Sequence, residues 1–520
     1  MSKDQSLAIG IDLGTTFSAI ARLDDVGQPR TLVNAEGDKT TPSVVLFDGR
    51  EVVVGKEAVK AMTTEMSQVA DCVKRELGAR LYQKQISGRQ FPPEAIQAWI
   101  LNKLRVDSQT QVGSYKKVVI TVPAYFDEVR RKATQDAGYI AGFEVLDIIN
   151  EPTAAAISFG FEQGYLKSAS RHEKKKILVY DLGGGTFDVT VMEVGGKEFV
   201  ALATDGDVQL GGRDFDQRLV DWVAENFIRK FSVDPREDPN CLGRLWRDCE
   251  DAKRTLTARQ KTSIACDYQG QASRFEISRE KFEELTRDLL DRTLFTTRQT
   301  LKAAGFSWSD IDRVLLVGGS TRMPMVFDML KKSSGMEPDR SVSPDEAVAH
   351  GAALHAGLLL SKQAGKLPAF EVTNVNSHSL GVVATDRATN RLRTAVLIPR
   401  NTPLPAEAKR TFKTQKAGQR SILIQIVEGE SALPDDCSQV GKCVVRNLPP
   451  NLPAQTPIEV RFQYRENGTL TVMVHVESTE KQMKHEITRE NSLTLEQLNH
   501  WRNYIAKLPP EIDSAAEVPQ

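Results

Sequence analysis

Two stretches of the chain share a pattern that suits phosphate chemistry. An apolar run that ends at Asp12 continues as Leu-Gly-Thr-Thr, and 169 residues later a run that ends at Asp181 continues as Leu-Gly-Gly-Gly-Thr. Glycines let backbone N–H groups approach phosphate oxygens, and the threonines add donors. Bare carboxylates would repel phosphate, so Asp12, Asp181 and nearby Asp188 indicate a bridging Mg²⁺.

Other interpretations of these loops are weaker. A single loop of this kind is equally well a capped β-turn, but two matching copies at strand ends disfavour that explanation. A Walker phosphate loop is excluded, because residues 49–57 have five residues between the glycines and Glu57 where Ser or Thr is required. A third glycine turn, Gly318-Gly319, follows another apolar strand, and Arg322 beyond it is suited to stacking on a base.

The elements that must position these loops change character along the chain. Residues 1–362 alternate short apolar strands, such as 117–122 and 314–317, with amphipathic helical segments, which predicts an α/β domain with buried parallel strands. A polar, Gly- and Pro-containing linker covers 363–375. Residues 376–487 alternate with period two, which predicts an antiparallel β-sandwich.

A single helix is predicted within 488–510. Thr494 and Gln497 form a capping box, Leu498, Trp501 and Ile505 follow at helical spacing, and two prolines end the pattern. The polar tail 511–520 is expected to be disordered.

Composition narrows the function classes. Charged residues make up 26%, hydrophobic residues 40%, and the formal net charge is −1, so no broad basic field favours nucleic acid or a membrane surface. The start of the chain resembles no signal peptide, and no apolar run is long enough to span a membrane. Six cysteines without CxxC or zinc spacing suit a reducing compartment. We therefore expect a cytoplasmic protein.

Further motifs then point to a family. The two loops, together with segments 121–126, 149–156, 210–216, 317–324 and 344–349, resemble the nucleotide-binding signatures of Hsp70 chaperones in the family's order. The resemblance covers residues 7 to about 487. It implies an α/β actin-like (ribonuclease H-like, duplicated) ATPase domain, then the peptide-binding sandwich, then one helix of a truncated lid.

The resemblance also implies roles for individual residues. Mg²⁺ would be held through water by Asp12 and Asp181. The implied catalytic residues are Lys74, Glu151, Asp181, Thr186 and Asp188. The implied ATP or ADP contacts are Gly14, Thr15, Thr16, Gly183, Gly184, Gly185, Gly211, Gly212, Glu250, Lys253, Arg254, Thr257, Gly318, Gly319, Ser320, Arg322 and Asp345. K⁺ is a further implied cation. Without the family match, Lys74 would be interpreted as a solvated lysine of a charged helix, and 250–257 as helical charge pairs.

The implied partners are extended peptide clients, a J-domain co-chaperone and a nucleotide exchange factor. The implied groove residues are Val382, Thr385, Phe412, Gln415, Ile422 and Ile424, although several of these also suit a plain sandwich core. In the family, two residues of the outer loops form an arch over the peptide groove. The matching residues here, Thr385 and Gln415, are polar, whereas the family has an aliphatic and a small residue. Coupling between domains is implied for Pro123, Arg130, Phe370 and Val372.

Three departures qualify the resemblance. Lys74 and Pro123 are only 49 residues apart, so one subdomain beside the cleft is trimmed. Residues 369–374 of the linker, where ordinary relatives have an aliphatic run, carry only Phe370 and Val372 as large apolar residues. Because each buried leucine contributes roughly 1.5–3 kcal/mol, we expect weaker linker docking than in ordinary relatives. With one lid helix, we expect bound peptide to exchange quickly in both nucleotide states.

Two alternative functions stay open. One is an ATP-switched regulatory or binding protein that has lost general chaperoning, which the linker and lid departures favour. The other is a small-molecule kinase of the actin-like fold, which would need a carboxylate base beside an acceptor hydroxyl. The fate of the released phosphate, to water or to a metabolite, distinguishes the kinase from the ATPase.

Overall fold

The computed structural model describes residues 7–49, 51–166, 173–386, 388–446, 448–466, 469–476, 482–485 and 492–507. The predicted prolines after the last helix and the tail 511–520 lie outside these ranges. Within them, no helix is both long and apolar enough to cross a membrane.

The first lobe is built on a six-stranded sheet in which β1 pairs antiparallel with β2 and parallel with β8. A small sheet of order β6-β5-β7 lies beside it. The strands are β1 Ile9–Asp12, β2 Phe17–Leu23, β3 Pro29–Leu32, β4 Thr41–Pro42, β5 Val45–Asp48, β6 Glu51–Val54, β7 Val69–Ala70, β8 Lys117–Val122 and β9 Glu144–Asn150. The helices are α1 Lys56–Ala61, α2 Pro93–Val112, α3 Glu128–Ile140 and α4 Glu151–Glu162.

The second lobe repeats this pairing, because β10 is antiparallel to β11 and parallel to β15. The repeat explains why Asp12 and Asp181 occupy equivalent strand ends. The strands are β10 Lys175–Leu182, β11 Phe187–Gly195, β12 Glu198–Asp207, β13 Lys261–Tyr268, β14 Gln271–Ser278 and β15 Arg313–Val317. The helices are α5 Gly212–Phe231, α6 Pro239–Ala258, α7 Arg279–Leu285, α8 Arg287–Ala303, α9 Pro324–Ser334 and α10 Ala347–Gln363.

The α/β domain therefore has the predicted actin-like class. The alanine-rich helices α4 and α10 are almost entirely buried where they pack against each other and against the first sheet. Small side chains let these two helices approach closely, which brings the ends of β1 and β10 together.

The linker is ordered and docked on the second lobe. After α10 the chain forms β16 Glu371–Thr373, which extends the second sheet by pairing parallel with Glu198–Val200 of β12. Phe370 is buried and Val372 is half-buried against this lobe. Val375 is buried in the same cluster, so the linker is docked in the structure although the sequence predicts weaker docking.

The predicted β-sandwich is present as two four-stranded antiparallel sheets, β18-β17-β20-β21 and β19-β22-β23-β24. Period-two alternation is borne out, since Ile422, Ile424 and Ile426 face one shared core with Val460 and Phe462. The strands are β17 Leu380–Thr385, β18 Leu392–Ile398, β19 Ala406–Lys413, β20 Ile422–Glu428, β21 Ser438–Val445, β22 Pro457–Tyr464, β23 Leu470–Val476 and β24 Gln482–His485.

The last helix, α11 Leu495–Ala506, begins with the predicted Thr494–Gln497 capping box. It packs on α2 and α3 of the first lobe rather than over the sandwich, with Trp501 at 6.0 Å from both Phe91 and Trp99 between ring centroids. Leu498 and Ile505 join the same core, whereas Leu495 is exposed.

Candidate active site

The two aspartate loops meet across the cleft between the lobes. A Cβ atom on Gly185 would lie 2.3 Å from the Thr15 side chain, and one on Gly184 would lie 2.0 Å from Thr16 Oγ1. Only glycine permits this approach. Thr15 and Thr186 are buried here, and Gly14 accepts a hydrogen bond from Ser43 through its carbonyl oxygen. The structure thus brings together the two loops that the sequence pairs by similarity.

Four carboxylates converge behind these loops. Burial, then repulsion from Glu151, raises the pKa of Asp12 to about 7, and the same two causes raise the pKa of Asp188 to about 7. The pKa of Asp181 is raised well above its ordinary value by burial and by Glu151, Asp188 and Asp12 in turn. Hydrogen bonds stabilise two of the groups, from Thr121 Oγ1 to Asp12 (3.3 Å) and from the Tyr125 N–H to Asp188 (2.9 Å).

The cluster is suited to a hydrated divalent cation. A bound cation would reduce the electrostatic repulsion among these buried carboxylates. Over the described ranges, however, no three His, Cys, Asp or Glu side chains are grouped closely enough to ligate a metal directly. The residues therefore fit Mg²⁺ held through water molecules, as Mg²⁺ commonly is.

Lys74 supplies positive charge to this cluster. It lies in a short 3₁₀ helix, Val73–Glu76, which begins after Cys72 in the left-handed region (φ 54°). The side chain is 2% exposed, and its Nζ is 2.5 Å from Glu151 Oε1. The alternative of a solvated lysine on a charged helix is therefore wrong.

Arg75, which the sequence analysis did not single out, ties the same 3₁₀ helix to the second lobe. Its Nε donates to the Gly185 carbonyl (2.8 Å), and its guanidinium pairs with Asp214 at the start of α5. The position of Arg75 directly after Lys74 is the only sequence feature that could have indicated its role. No spacing in the sequence predicts Asp214 as its partner.

Helix α5 starts against the second loop. The N–H groups of Gly212 and Arg213 donate to the carbonyls of Gly183 and Gly184 at 2.9 and 2.8 Å. Gly211, directly before α5, packs against the backbone of Gly184 and Gly185. Lys253 on α6 reaches the same place, where it donates to the Gly212 carbonyl (3.1 Å) and to Asp216 (2.7 Å).

The third glycine turn also lies at the cleft. Gly318 has φ +81°, and a Cβ there would lie 2.6 Å from Asp181 Oδ1. The Ser320 hydroxyl donates to the Gly183 carbonyl (2.8 Å). Arg322 forms a two-pronged pair with Asp345 (3.1 and 2.6 Å), with Gly319 beside both side chains. This turn therefore joins the second loop to an exposed guanidinium.

The other predicted contacts on α6 form local pairs. Arg254 donates to Glu250 (2.6 Å) and lies 5.5 Å from the centroid of the Phe17 ring. The Thr257 hydroxyl donates to the Lys253 carbonyl (3.2 Å). The Arg254–Glu250 pair matches the helical charge-pair alternative, whereas the Thr257 bond is made to the backbone of the same helix.

The predicted coupling residues lie near the contact between the domains. Pro123 opens the turn that precedes α3, and Arg130 on α3 pairs with Asp127 (2.5 Å). Behind them, Glu428 of the sandwich accepts a hydrogen bond from the Glu128 N–H (2.8 Å). Burial raises the pKa of Glu428 to about 8, and the nearby acidic groups contribute to this increase.

His378, which the sequence analysis passed over, belongs to the same contact. Its Nε2 is 3.0 Å from the Tyr125 carbonyl, and its other nitrogen faces Glu430. Burial lowers the pKa of His378, but the hydrogen bond to Glu430 and the charge of Glu428 outweigh it, so the pKa is raised overall. Arg400 of the sandwich and Asp205 of β12 add an ion pair (3.2 Å).

The predicted groove residues divide into two groups. Val382, Ile422 and Ile424 are buried in the sandwich core, and Phe412 is half-buried against it. Thr385 and Gln415 lie at the surface, where Gln415 Nε2 donates to Thr385 Oγ1 (2.8 Å). The two polar arch positions therefore meet in a direct hydrogen bond.

Comparisons with known proteins agree with this architecture. A family model described as "Hsp70 protein" matches residues 8–508. The chain is 38% identical over 507 residues to the chaperone protein DnaK of Thermotoga neapolitana, and equally to those of Thermotoga petrophila and Thermotoga maritima. Each match covers 96% of this chain and 83% of the relative.

Proposed function

Because the chain belongs to the Hsp70 family of chaperones, we propose that it hydrolyses ATP and couples hydrolysis to the binding of extended apolar peptide segments. The observation that carries the proposal is Lys74, buried against Glu151 between two aspartate loops. Burying a charged lysine costs free energy, so its burial does little for the stability of the fold. A buried lysine at this place is better explained by the binding of a polyphosphate.

In the proposed reaction, the protein contributes position and charge. Thr15, Thr186 and Lys74 would contact the terminal phosphate, and Glu151 and Asp188 would orient the attacking water. Asp12 and Asp181 would hold Mg²⁺ through water molecules. The Mg²⁺ would neutralise charge on the phosphates, and K⁺ is a further proposed cation.

The nucleoside would lie between the third glycine turn and α6. Arg322 and Arg254 present exposed guanidinium groups on the two sides of this part of the cleft. Planar guanidinium groups stack well on a base, and Asp345 already fixes the plane of one of them.

Coupling is supported by the docked linker and by the contacts around Glu428 and His378. The Glu428 and His378 contacts lead directly from the sandwich to the segment after β8, whose Tyr125 N–H donates to Asp188. A rearrangement at the phosphates would therefore reach the sandwich through few intermediates. Family membership supports adding a J-domain co-chaperone and a nucleotide exchange factor as proposed partners.

The test follows labelled γ-phosphate. The wild-type protein should transfer it to water, also when sugars and glycerol are offered as acceptors, whereas a phosphorylated acceptor would favour the kinase alternative. Lys74→Ala should lower the hydrolysis rate by roughly 100-fold or more, as expected when a group that stabilises transition-state charge is lost. Lys302→Ala, on the exposed end of α8, is the matched control and should hydrolyse at the wild-type rate.

A further inference from the structure

Three loops at the end of the sandwich that carries the arch hold more basic than acidic residues. Loops 386–391, 414–421 and 446–456 together hold five Arg or Lys residues and one Asp. The loops at the opposite end, 399–405, 429–437 and 465–469, hold four acidic and two basic residues. Among these loops, the basic ones therefore lie at the end away from the ATPase domain and the acidic ones at the opposite end.

Backbone contacts draw these loops together around the arch. Leu392 faces Thr385 in the β17–β18 register, and the Asp386 N–H donates to the Arg391 carbonyl (2.8 Å). From the next loop, Gln415 reaches Thr385, and the Leu448 N–H of the third loop donates to the Arg420 carbonyl (3.1 Å). These hydrogen bonds therefore tie the first and second loops to the arch, and the third loop to the second.

These cations are available to a ligand. In the part of the chain that the structure describes, no ion pair is made by the exposed loop residues Arg391, Lys416, Arg420 and Arg446, or by Lys413 at the end of β19, directly before the second loop. The acidic residue among them is occupied, since Asp386 accepts hydrogen bonds from Ala388 and Thr389 within its own loop.

Apolar surface accompanies this charge. Leu392 is 58% exposed beside the arch, and Leu423, which follows Ile422 on β20, is 55% exposed. An extended segment that crosses this end would place apolar side chains at its centre and its flanking residues near the cations. Because like charges across an interface are repelled and opposite charges attracted, basic flanks would be disfavoured there.

We propose that the groove selects extended segments with an apolar centre flanked by Asp or Glu. The inference rests on the proposed function for the existence of peptide binding, and it adds the charge class of the client. The Thr385–Gln415 hydrogen bond sets the span of the arch, and the unpaired cations in the loops next to it set the preference for acidic flanks.

The test uses three dye-labelled peptides with one leucine-rich centre and two flanking residues on each side, all Glu, all Gln or all Lys. Fluorescence anisotropy with the full chain gives their affinities. We expect the Glu peptide to bind about tenfold more tightly than the Gln peptide, as two or three exposed ion pairs would produce, and the Lys peptide to bind most weakly. The difference should shrink in 0.5 M salt, because exposed charges are screened.

A triple variant, Lys413→Glu with Lys416→Glu and Arg420→Glu, should reverse the order of the Glu and Lys peptides. Lys302→Glu on the ATPase domain is the control and should keep the wild-type order, and melting curves establish that both variants are folded. Equal affinity of the three peptides, or a Lys preference in the wild type, would overturn the inference and leave peptide binding intact. Failure of all three to bind would instead overturn the proposed function on which it rests.

Discussion

Phe370 is the residue on which linker docking most depends. Its side chain is 3% exposed and packs edge-on against Phe199, with 5.7 Å between ring centroids and 74° between planes. Replacing a buried phenylalanine by alanine costs about 3–5 kcal/mol. Because β16 is a short strand with few other buried side chains, Phe370→Ala should remove most of the docking free energy. The ratio of docked to undocked linker should then fall roughly 100-fold or more, since 1.4 kcal/mol corresponds to a factor of ten.

Hydrogen exchange of the linker amides measures this ratio directly. The Glu371 N–H donates to the Lys197 carbonyl (2.8 Å) when β16 is docked, so it exchanges only after the strand opens. In Phe370→Ala this amide should exchange roughly 100-fold faster than in the wild type. Leu367→Ala is the matched control, because Leu367 lies in the same linker and is 94% exposed.

An unchanged exchange rate of residues 371–373 in Phe370→Ala would show that linker docking does not depend on this ring. Equal acceleration in Leu367→Ala would show that the strand depends on general linker composition rather than on one buried ring.

Three further changes test other parts of the account. Gly185→Ala should weaken Mg²⁺–ADP binding at least about tenfold in calorimetry, since its Cβ would collide with the facing loop. Trp501→Ala should lower the free energy of unfolding in urea by up to about 3–5 kcal/mol, and exposed Leu495→Ala by less than about 0.5 kcal/mol. Raising the pH from 6 to 9 should separate the domains in a two-dye distance measurement. The pKa of Glu428 is about 8 in the docked state, above its ordinary 4.5. Its contribution to the stability of the docked state is therefore complete below pH 4.5 and is lost as the pH rises through 8. Glu428→Gln should flatten that dependence.

Local patterns in the sequence were sufficient for much of the architecture. Asp12 and Asp181 could be paired in advance because strand, aspartate and glycine turn are adjacent in the chain. The same holds for the Ile422–Ile424–Ile426 face and the Thr494 cap, each of which depends on neighbours within a few residues.

Long-range partners could not be predicted from such patterns. The burial of Lys74 depends on a left-handed Cys72 and on Glu151, 77 residues away. Helix α11 packs on the first lobe, and His378 contacts the Tyr125 carbonyl. In both cases the two segments are far apart in the chain, and neither sequence predicts the other as its partner.

The central claim is that nucleotide in the cleft controls the sandwich, and ATP-triggered peptide release tests it most directly. A fluorescent apolar peptide is bound to the full chain, ATP is added, and the dissociation rate is followed by anisotropy. We expect ATP to accelerate release in the wild type, and Phe370→Ala to abolish the acceleration while peptide still binds. Release at the same rate with and without ATP would contradict it and would favour a regulatory protein without coupled chaperone activity.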